Sequence, residues 1–234
     1  MAGLPIEKGD FILVDYVGRV KETGEVFDTT LEDVAKSEGL YEEGRVYEPK
    51  LVVVGEGWLL RALEEHLTKM EVGQKETVEI PPEDAYGKRD PEKMKLVPLR
   101  RLTSRGITPR VGMRVNVDGK IATVRVVASG RVQLDFNHPL AGKTLVYEVT
   151  VTKKLEKPRE KILALIHRRI PVVEAEKFKL RLGKKTLRVN MPEEAFYIEG
   201  IQVAKRGIAS DVMKFFPEID EVTFMETIKR ERST

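Results

Sequence analysis

The stretch from Leu51 to Gly87 restricts the fold more than any other part of the chain. Four leucines inside it recur on one face of a helix: Leu59, Leu60, Leu63 and Leu67. This spacing predicts a short amphipathic helix over Gly57 to Met70, whose apolar face must pack on something. A sheet is the expected partner, because residues 51–54 form an apolar strand-like run and residues 75–80 alternate between polar and apolar. The proline pair at 81–82 then prevents the ladder from continuing.

The composition is that of an ordinary soluble protein with a core, since 41% of the 234 residues are hydrophobic. The absence of cysteine excludes a disulfide framework, a thiol nucleophile and a cysteine-based zinc site, and it favours a reducing compartment. Residues 1–10 lack the apolar core of a signal peptide, and no run reaches the roughly 20 apolar residues of a membrane span. We therefore expect a cytoplasmic protein with no membrane partner. Its 34% of charged residues is also typical of thermophilic proteins.

The net charge of +3 hides an uneven distribution along the chain. Residues 88–135 carry 12 Lys and Arg against 4 Asp and Glu, and residues 154–234 carry 18 against 13. The remaining segments, 1–87 and 136–153, carry 11 against 21. An acidic body with two basic lobes indicates contact between the segments or partners with acidic surfaces. Solvated faces that happen to differ in sign are the plainer alternative.

Before the helical segment, Phe11 to Val20 is predicted to form a strand. Its first residues are too uniformly apolar for a strand with one buried face, and Gly18 indicates a twist or bulge. Glu25 to Asp28 is a second short strand. Thr29 to Pro49 is polar, acidic and aperiodic, so we interpret it as a surface flap with one or two helical turns at residues 31–37.

Several separated motifs resemble the FKBP-type peptidyl-prolyl isomerases. They are VGQK from Val72, PPEDAYG from Pro81, FILVDYVGRV from Phe11 with GEVFD from Gly24, and LVYEV from Leu145. About fifty residues between DAYG and the last strand end in NHPLAGK from Asn137, which is similar to the SlyD-type members with an insert-in-flap domain. The resemblance runs from Pro5 to Lys154. It implies an α+β fold, in which an antiparallel half-barrel sheet wraps on a short helix.

The expected domains follow from this resemblance and from the remaining pattern. Residues 1–87 and 136–154 would form a discontinuous catalytic domain, and residues 88–135 an inserted small all-β domain with strands near 114–117, 121–127 and 131–136. Residues 158–234 lie outside the resemblance, and their pattern predicts a C-terminal α+β domain. Its expected elements are a helix, a hairpin at 178–191, a helical stretch at 193–216 that is broken near Gly200 or Gly207, and a last strand at 221–228. Its core is thin, so a homodimer through this domain is an open expectation.

The resemblance also implies site residues. Asp28 would be the carboxylate near the twisting amide and Tyr86 the hydroxyl donor to the substrate carbonyl. The pocket walls would be formed by Tyr16, Phe27, Leu59, Leu60, Leu63 and Tyr147. A return segment bordering the pocket would contribute Phe136, His138 and Leu140. Leu63 stands where many members have tryptophan and Tyr147 where they have phenylalanine, so a shallower floor and weaker macrocycle binding are expected. The same side chains could instead be ordinary core, turn or capping residues.

These observations predict a peptidyl-prolyl cis-trans isomerase and folding chaperone that acts on unfolded or nascent polypeptides with X-Pro bonds. No cofactor or metal is expected, because His66, His138 and His167 lack ligand spacing. A second interpretation is a non-catalytic module that docks on RNA, the ribosome or another polyanion through the basic lobes. Its cationic runs would be Arg100-Arg101, Arg168-Arg169 and Lys184-Lys185, although few aromatic residues accompany them for base stacking.

Overall fold

The computed structural model describes residues 5–228 and 230. Twelve strands lie in the described part of the chain: β1 Phe11–Val20, β2 Val26–Thr29, β3 Lys50–Val53, β4 Lys75–Ile80, β5 Met94–Pro98, β6 Arg114–Val117, β7 Lys120–Ala128, β8 Arg131–Asp135, β9 Leu145–Leu155, β10 Lys179–Leu182, β11 Thr186–Asn190 and β12 Glu221–Met225. Five α-helices accompany them there: α1 Glu32–Ser37, α2 Arg61–Leu67, α3 Leu99–Thr103, α4 Pro158–Arg169 and α5 Ile201–Phe215. The α+β class predicted from the sequence is confirmed.

The main sheet is antiparallel, with the strand order β2-β1-β9-β4 and with β3 also paired to β1. The register between β1 and β2 shifts between Gly18 and Arg19, which confirms the irregularity predicted at Gly18. The apolar start of β1 has a direct explanation. Ile12 and Val14 face the core beneath α2, whereas Phe11 on the opposite face belongs to a second core that the C-terminal region completes.

Helix α2 is shorter than the predicted helix over Gly57 to Met70. Leu59 and Leu60 precede it in an irregular segment, because Gly57 adopts a φ of +70° and breaks the helical path. Leu63 and Leu67 lie on the helix and are fully buried. The predicted packing of the helix on the sheet is therefore correct, although only two of the four leucines belong to the helix.

The inserted segment folds on a separate antiparallel sheet with the order β5-β8-β7-β6. The three predicted strands are present, and both turns use residue pairs with positive φ, at Asp118-Gly119 and Ser129-Gly130. The all-β expectation was incomplete, because β5 and the short helix α3 were not predicted. Strand β5 ends in Pro98 and lies at the sheet edge, where a proline costs no ladder hydrogen bond.

The C-terminal region packs α4 and α5 against the sheet β10-β11-β12. The predicted hairpin is present, and β12 joins it in parallel after α5. The helical break lies at Gly200, which has a φ of +76°, whereas Gly207 is accommodated inside α5. The core of this region is shared with the main sheet through Phe11, Leu51 and Leu155. Much of the apolar surface that a partner was expected to cover is therefore covered within the chain.

Candidate active site

A cleft of about 460 Å³ lies between β2, the end of β4 and the segment that leads back from the insert. It brings together six of the predicted site residues: Phe27, Asp28, Tyr86, His138, Leu140 and Tyr147. The structure adds four lining residues that sequence analysis missed: Val20, Glu25, Pro139 and Lys143. The cleft is thus walled mainly by aromatic and aliphatic groups, with a few polar groups at defined positions.

Three aromatic rings cluster at one side of the site, where Phe27 and Tyr147 line the cleft and Tyr16 lies behind the lining. The rings of Phe27 and Tyr147 meet edge to face at a centroid distance of 5.6 Å, and those of Tyr16 and Tyr147 meet at 5.8 Å. Gly18 makes room for this cluster, because a Cβ atom there would lie 2.7 Å from Cζ of Phe27. A glycine in the middle of a long strand is therefore explained by the close approach of the rings.

Replacing Gly18 with alanine is expected to destabilise the protein by about 1–3 kcal/mol and to slow catalysis, since the added methyl group displaces Phe27 and Tyr147. The free energy of unfolding in urea measures the first effect. Adding Phe27→Leu to Gly18→Ala relieves the clash and is expected to recover part of the lost stability. A Gly18→Ala protein as stable as the parent would show that the rings move away at no cost.

Asp28 is held at the cleft wall by three donors. The Tyr16 hydroxyl donates to Oδ2 at 2.6 Å, and Oδ1 accepts from Nη2 of Arg45 at 2.7 Å and from the backbone N–H of Thr29 at 3.0 Å. Burial, together with the hydrogen bond to Asp28, raises the pKa of Tyr16 far above its usual range, so the phenol remains a donor. Arg45 lies in the polar flap, where no sequence pattern singled it out. The carboxylate is thus fixed in orientation.

Tyr86 and His138 also line the cleft. Their rings stack nearly parallel, 4.0 Å apart between centroids and inclined by 8°. Partial burial, with a contribution from the Arg114 charge, lowers the pKa of His138, so the imidazole is neutral at pH 7. Its Nδ1 accepts the backbone N–H of Leu140 at 3.2 Å, which fixes the proton on Nε2. Tyr86 remains 39% exposed, and its ring is accessible from the cleft.

Five predicted wall residues lie outside the cleft lining. Tyr16 stands behind Asp28 and is buried, and Leu63 is buried in the core under the main sheet. Leu59 and Leu60 pack partly buried against that same core. Phe136 packs against the core of the insert. Their contact with substrate, predicted from the resemblance, stays a prediction.

The segment that carries Leu59 and Leu60 is tied down by Glu64, which is only 3% exposed. Its Oε2 accepts the backbone N–H groups of Gly55 at 2.8 Å and Gly57 at 3.1 Å, and its Oε1 accepts that of Leu59 at 2.9 Å. In the sequence, Glu64 stands among polar residues between the leucines and carries no sign of burial. These three donors lie in the loop just before α2 and satisfy the buried carboxylate, a role that a helical pattern does not reveal.

Replacing Glu64 with glutamine is expected to lower the free energy of unfolding by about 3 kcal/mol, because an amide NH₂ would face backbone donors that a carboxylate now accepts. Glu65→Gln is the matched control, since among the described residues its exposed side chain pairs only with Arg61, and a change below about 0.5 kcal/mol is expected there. Urea unfolding of both variants measures the difference. Equal small losses would contradict the role given to Glu64.

A hydrogen-bonded neck joins the insert to the site. Asp135, almost fully buried, accepts from Nε of Arg125 at 3.0 Å and from the backbone and side-chain nitrogens of Asn137, and it pairs with Arg89. Asn137 in turn exchanges two hydrogen bonds of 2.9 Å with the backbone of Asp90. Burial alone would raise the pKa of Asp135, but these donors outweigh it and hold the pKa below its usual value. The neck therefore fixes where His138 and Leu140 enter the cleft.

Among residues 5–228 and 230, no group of three or more His, Asp or Glu side chains is arranged to hold a metal ion. His66 pairs with Glu76, and His167 lies 2.7 Å from Glu48. Within the same residues, no helix is long and apolar enough to cross a membrane.

Two family models match separate parts of the chain. Residues 158–229 match the family described as FKBP26_C-terminal, and residues 95–140 match FKBP26, IF domain. The chain is 41% identical to the short-type peptidyl-prolyl cis-trans isomerase of Methanocaldococcus jannaschii over 146 residues, which cover 62% of this chain and 92% of that protein.

Two SlyD proteins are also similar. The FKBP-type isomerase SlyD of Helicobacter pylori is 30% identical over 160 residues, covering 66% of this chain and 78% of the relative. That of Treponema pallidum is 35% identical over 120 residues, covering 50% and 68%. The chain therefore belongs to the FKBP-type peptidyl-prolyl cis-trans isomerase family, in a form that carries both an insert-in-flap domain and an FKBP26-type C-terminal region.

Proposed function

We propose that this protein accelerates cis-trans isomerisation of X-Pro bonds in unfolded or nascent polypeptides. The observation that carries the proposal is one cleft whose lining combines the apolar and aromatic side chains of Phe27, Tyr147 and Leu140 with Tyr86 and Asp28. The family relationship supports the same activity.

The chemistry requires no covalent step. An X-Pro amide isomerises over a barrier of about 18–20 kcal/mol because resonance is lost at the twisted geometry. The twisted amide is less charge-separated than the planar one, so an apolar cleft favours it relative to water. Tyr86 would donate to the substrate carbonyl, and Asp28, fixed by Tyr16 and Arg45, would supply an oriented negative charge.

The insert would hold the polypeptide near the cleft. It presents exposed apolar side chains on and beside its sheet: Leu96, Val111, Met113, Ile121, Val126 and Val127. Strand β6 forms one edge of this sheet and is open to strand addition by an extended chain. The hydrogen-bonded neck would keep this surface at a fixed position relative to His138, so that a held chain meets the cleft at raised local concentration.

Replacing Tyr86 with phenylalanine tests the catalytic half of the proposal. Loss of one hydrogen bond to the twisting amide is expected to lower kcat/KM roughly 5- to 10-fold. Tyr197→Phe, which removes a hydroxyl from a highly exposed ring elsewhere, is the control and should leave the rate unchanged. Exchange spectroscopy on a short peptide containing Leu-Pro measures both. An unchanged rate in Tyr86→Phe would show that the hydroxyl takes no part in catalysis.

A further inference from the structure

The exposed face of the C-terminal sheet concentrates positive charge. Lys179 and Arg181 on β10 and Arg188 on β11 are exposed and line one groove of about 670 Å³. Arg181 and Arg188 lie directly opposite each other in the antiparallel register, and Lys179 is opposite Asn190. Because alternate residues of a strand point to the same face, these three cations share one side of the sheet.

These charges lack the partners that neighbouring cations have. Lys177 pairs with Glu194 at 2.8 Å, and Lys185 pairs with Asp220 at 3.0 Å. In contrast, no carboxylate among residues 5–228 and 230 lies within 4.0 Å of Lys179, Arg181 or Arg188. Like charges directly opposite each other destabilise a sheet, and a bound anion would relieve the repulsion between Arg181 and Arg188.

The cationic runs seen in the sequence have mostly structural partners. Arg168 lies over the ring of Trp58 at 3.9 Å, and Arg169 pairs with Asp211 at 2.9 Å. Arg101 lies 2.7 Å from Asp118. The structure therefore favours polyanion binding through the groove on the C-terminal sheet over binding through these runs. The three cations of the groove are not consecutive in sequence, so the sequence did not indicate them.

The groove suits a nucleic-acid backbone better than a protein. The groove is lined by five cations, Lys177, Lys179, Arg181, Arg188 and Arg230, and by one carboxylate, Glu193. None of its described lining residues is aromatic, whereas protein interfaces rely on aromatic anchors. Asn190 and Thr227 add neutral hydrogen-bond donors of the kind that contact phosphates. Without rings for base stacking, the groove fits the outside of a duplex and not splayed single-stranded bases.

We propose that this face binds the phosphate backbone of duplex RNA without sequence preference. The choice of RNA over DNA rests on the proposed function, because nascent chains emerge beside structured RNA. Binding there would place the cleft and the insert near new polypeptide. The contact itself is independent of isomerase activity, so it can fail while the activity stands.

The test is a fluorescence anisotropy titration of the full-length protein with a labelled RNA duplex of about 16 base pairs, between about 50 and 200 mM KCl. The variant carries Lys179→Gln, Arg181→Gln and Arg188→Gln. The matched control carries Arg100→Gln, Lys120→Gln and Arg131→Gln, which removes the same charge from exposed positions on the insert. Thermal unfolding and peptide isomerisation verify that each variant is folded.

Three phosphate contacts contribute a slope of about −2.7 to the dependence of log affinity on log salt, or roughly 40-fold between 50 and 200 mM. The sheet variant is expected to lose that contribution and to bind at least about 10-fold more weakly at the lowest salt. The control is expected to stay within about twofold of the parent. Equal binding by parent and sheet variant, or an equal loss in the control, would overturn the proposal. If polyglutamate displaces the labelled RNA at lower concentration than unlabelled RNA does, the groove binds an acidic polypeptide and the proposal fails. If a DNA duplex of the same length binds more tightly than the RNA duplex, RNA is not the preferred partner and the proposal also fails.

Discussion

Replacing residues 91–134 with a short flexible loop is expected to slow catalysed refolding of a proline-limited protein by about 100-fold while peptide isomerisation stays within about threefold of the parent. The refolding loss follows from the effective concentration that a tethered binding surface provides, about 10²- to 10⁴-fold. The splice removes Arg125 but keeps Arg89, Asp90, Asp135 and Asn137, so the hydrogen bonds of Asn137 to Asp90 and to Asp135 are retained and should hold His138 in place. Stopped-flow refolding and peptide exchange measure the two rates on the same preparation.

Point variants distinguish binding by the exposed apolar side chains of the insert from other effects of removing the insert. Ile121→Ser with Val126→Ser removes two exposed apolar groups from the insert sheet, and Val172→Ser with Val203→Ser removes two from the C-terminal region. Only the first pair is expected to reduce catalysed refolding. If both pairs reduce it equally, or if the shortened protein refolds its substrate as fast as the parent, the insert does not hold the polypeptide.

Replacing Asp28 with asparagine is expected to lower kcat/KM for a short peptide by about 10- to 100-fold. The substitution preserves the shape of the side chain but removes the charge that organises the Tyr16 hydroxyl and the Arg45 guanidinium. Hydrogen bonds to a charged group contribute about 1.5–3 kcal/mol, and a loss of that size in the transition state corresponds to the stated factor. Progress curves of peptide isomerisation over a range of enzyme concentrations measure kcat/KM.

Asp33→Asn is the matched control for this variant, because it removes one carboxylate from an exposed helix of the same flap. Its rate should equal that of the parent. A loss in Asp33→Asn comparable to that in Asp28→Asn would indicate a diffuse effect of net charge. Full activity in Asp28→Asn would mean that the apolar walls alone catalyse the reaction.

Local patterns were sufficient to predict much of the fold. The excess of apolar residues at the start of β1 reflects a strand buried on both faces, with Phe11 in one core and Ile12 in the other. The turns at Asp118-Gly119 and Ser129-Gly130 follow from residues that tolerate positive φ. Each of these features depends on neighbours in sequence, which is why it could be predicted.

Other features depend on the three-dimensional path of a loop or on contact between separate segments. Glu64 is buried because three backbone donors before α2 converge on it, and Arg45 reaches Asp28 from across the flap. No periodicity marks such residues. Motif order did identify Asp28, Tyr86 and His138 as candidates, but only the folded chain shows Tyr86 stacked on His138, and their roles in catalysis stay predictions.

The most direct test of the account is exchange NMR on a short peptide containing Leu-Pro, with and without the full-length protein. The cis and trans resonances exchange in tens to hundreds of seconds without a catalyst, too slowly to give cross-peaks within a mixing time of about one second. We predict that a few micromolar protein produces cross-peaks whose intensity grows in proportion to its concentration. Cross-peaks that are absent at every protein concentration would contradict the assignment of this cleft as a prolyl isomerase site.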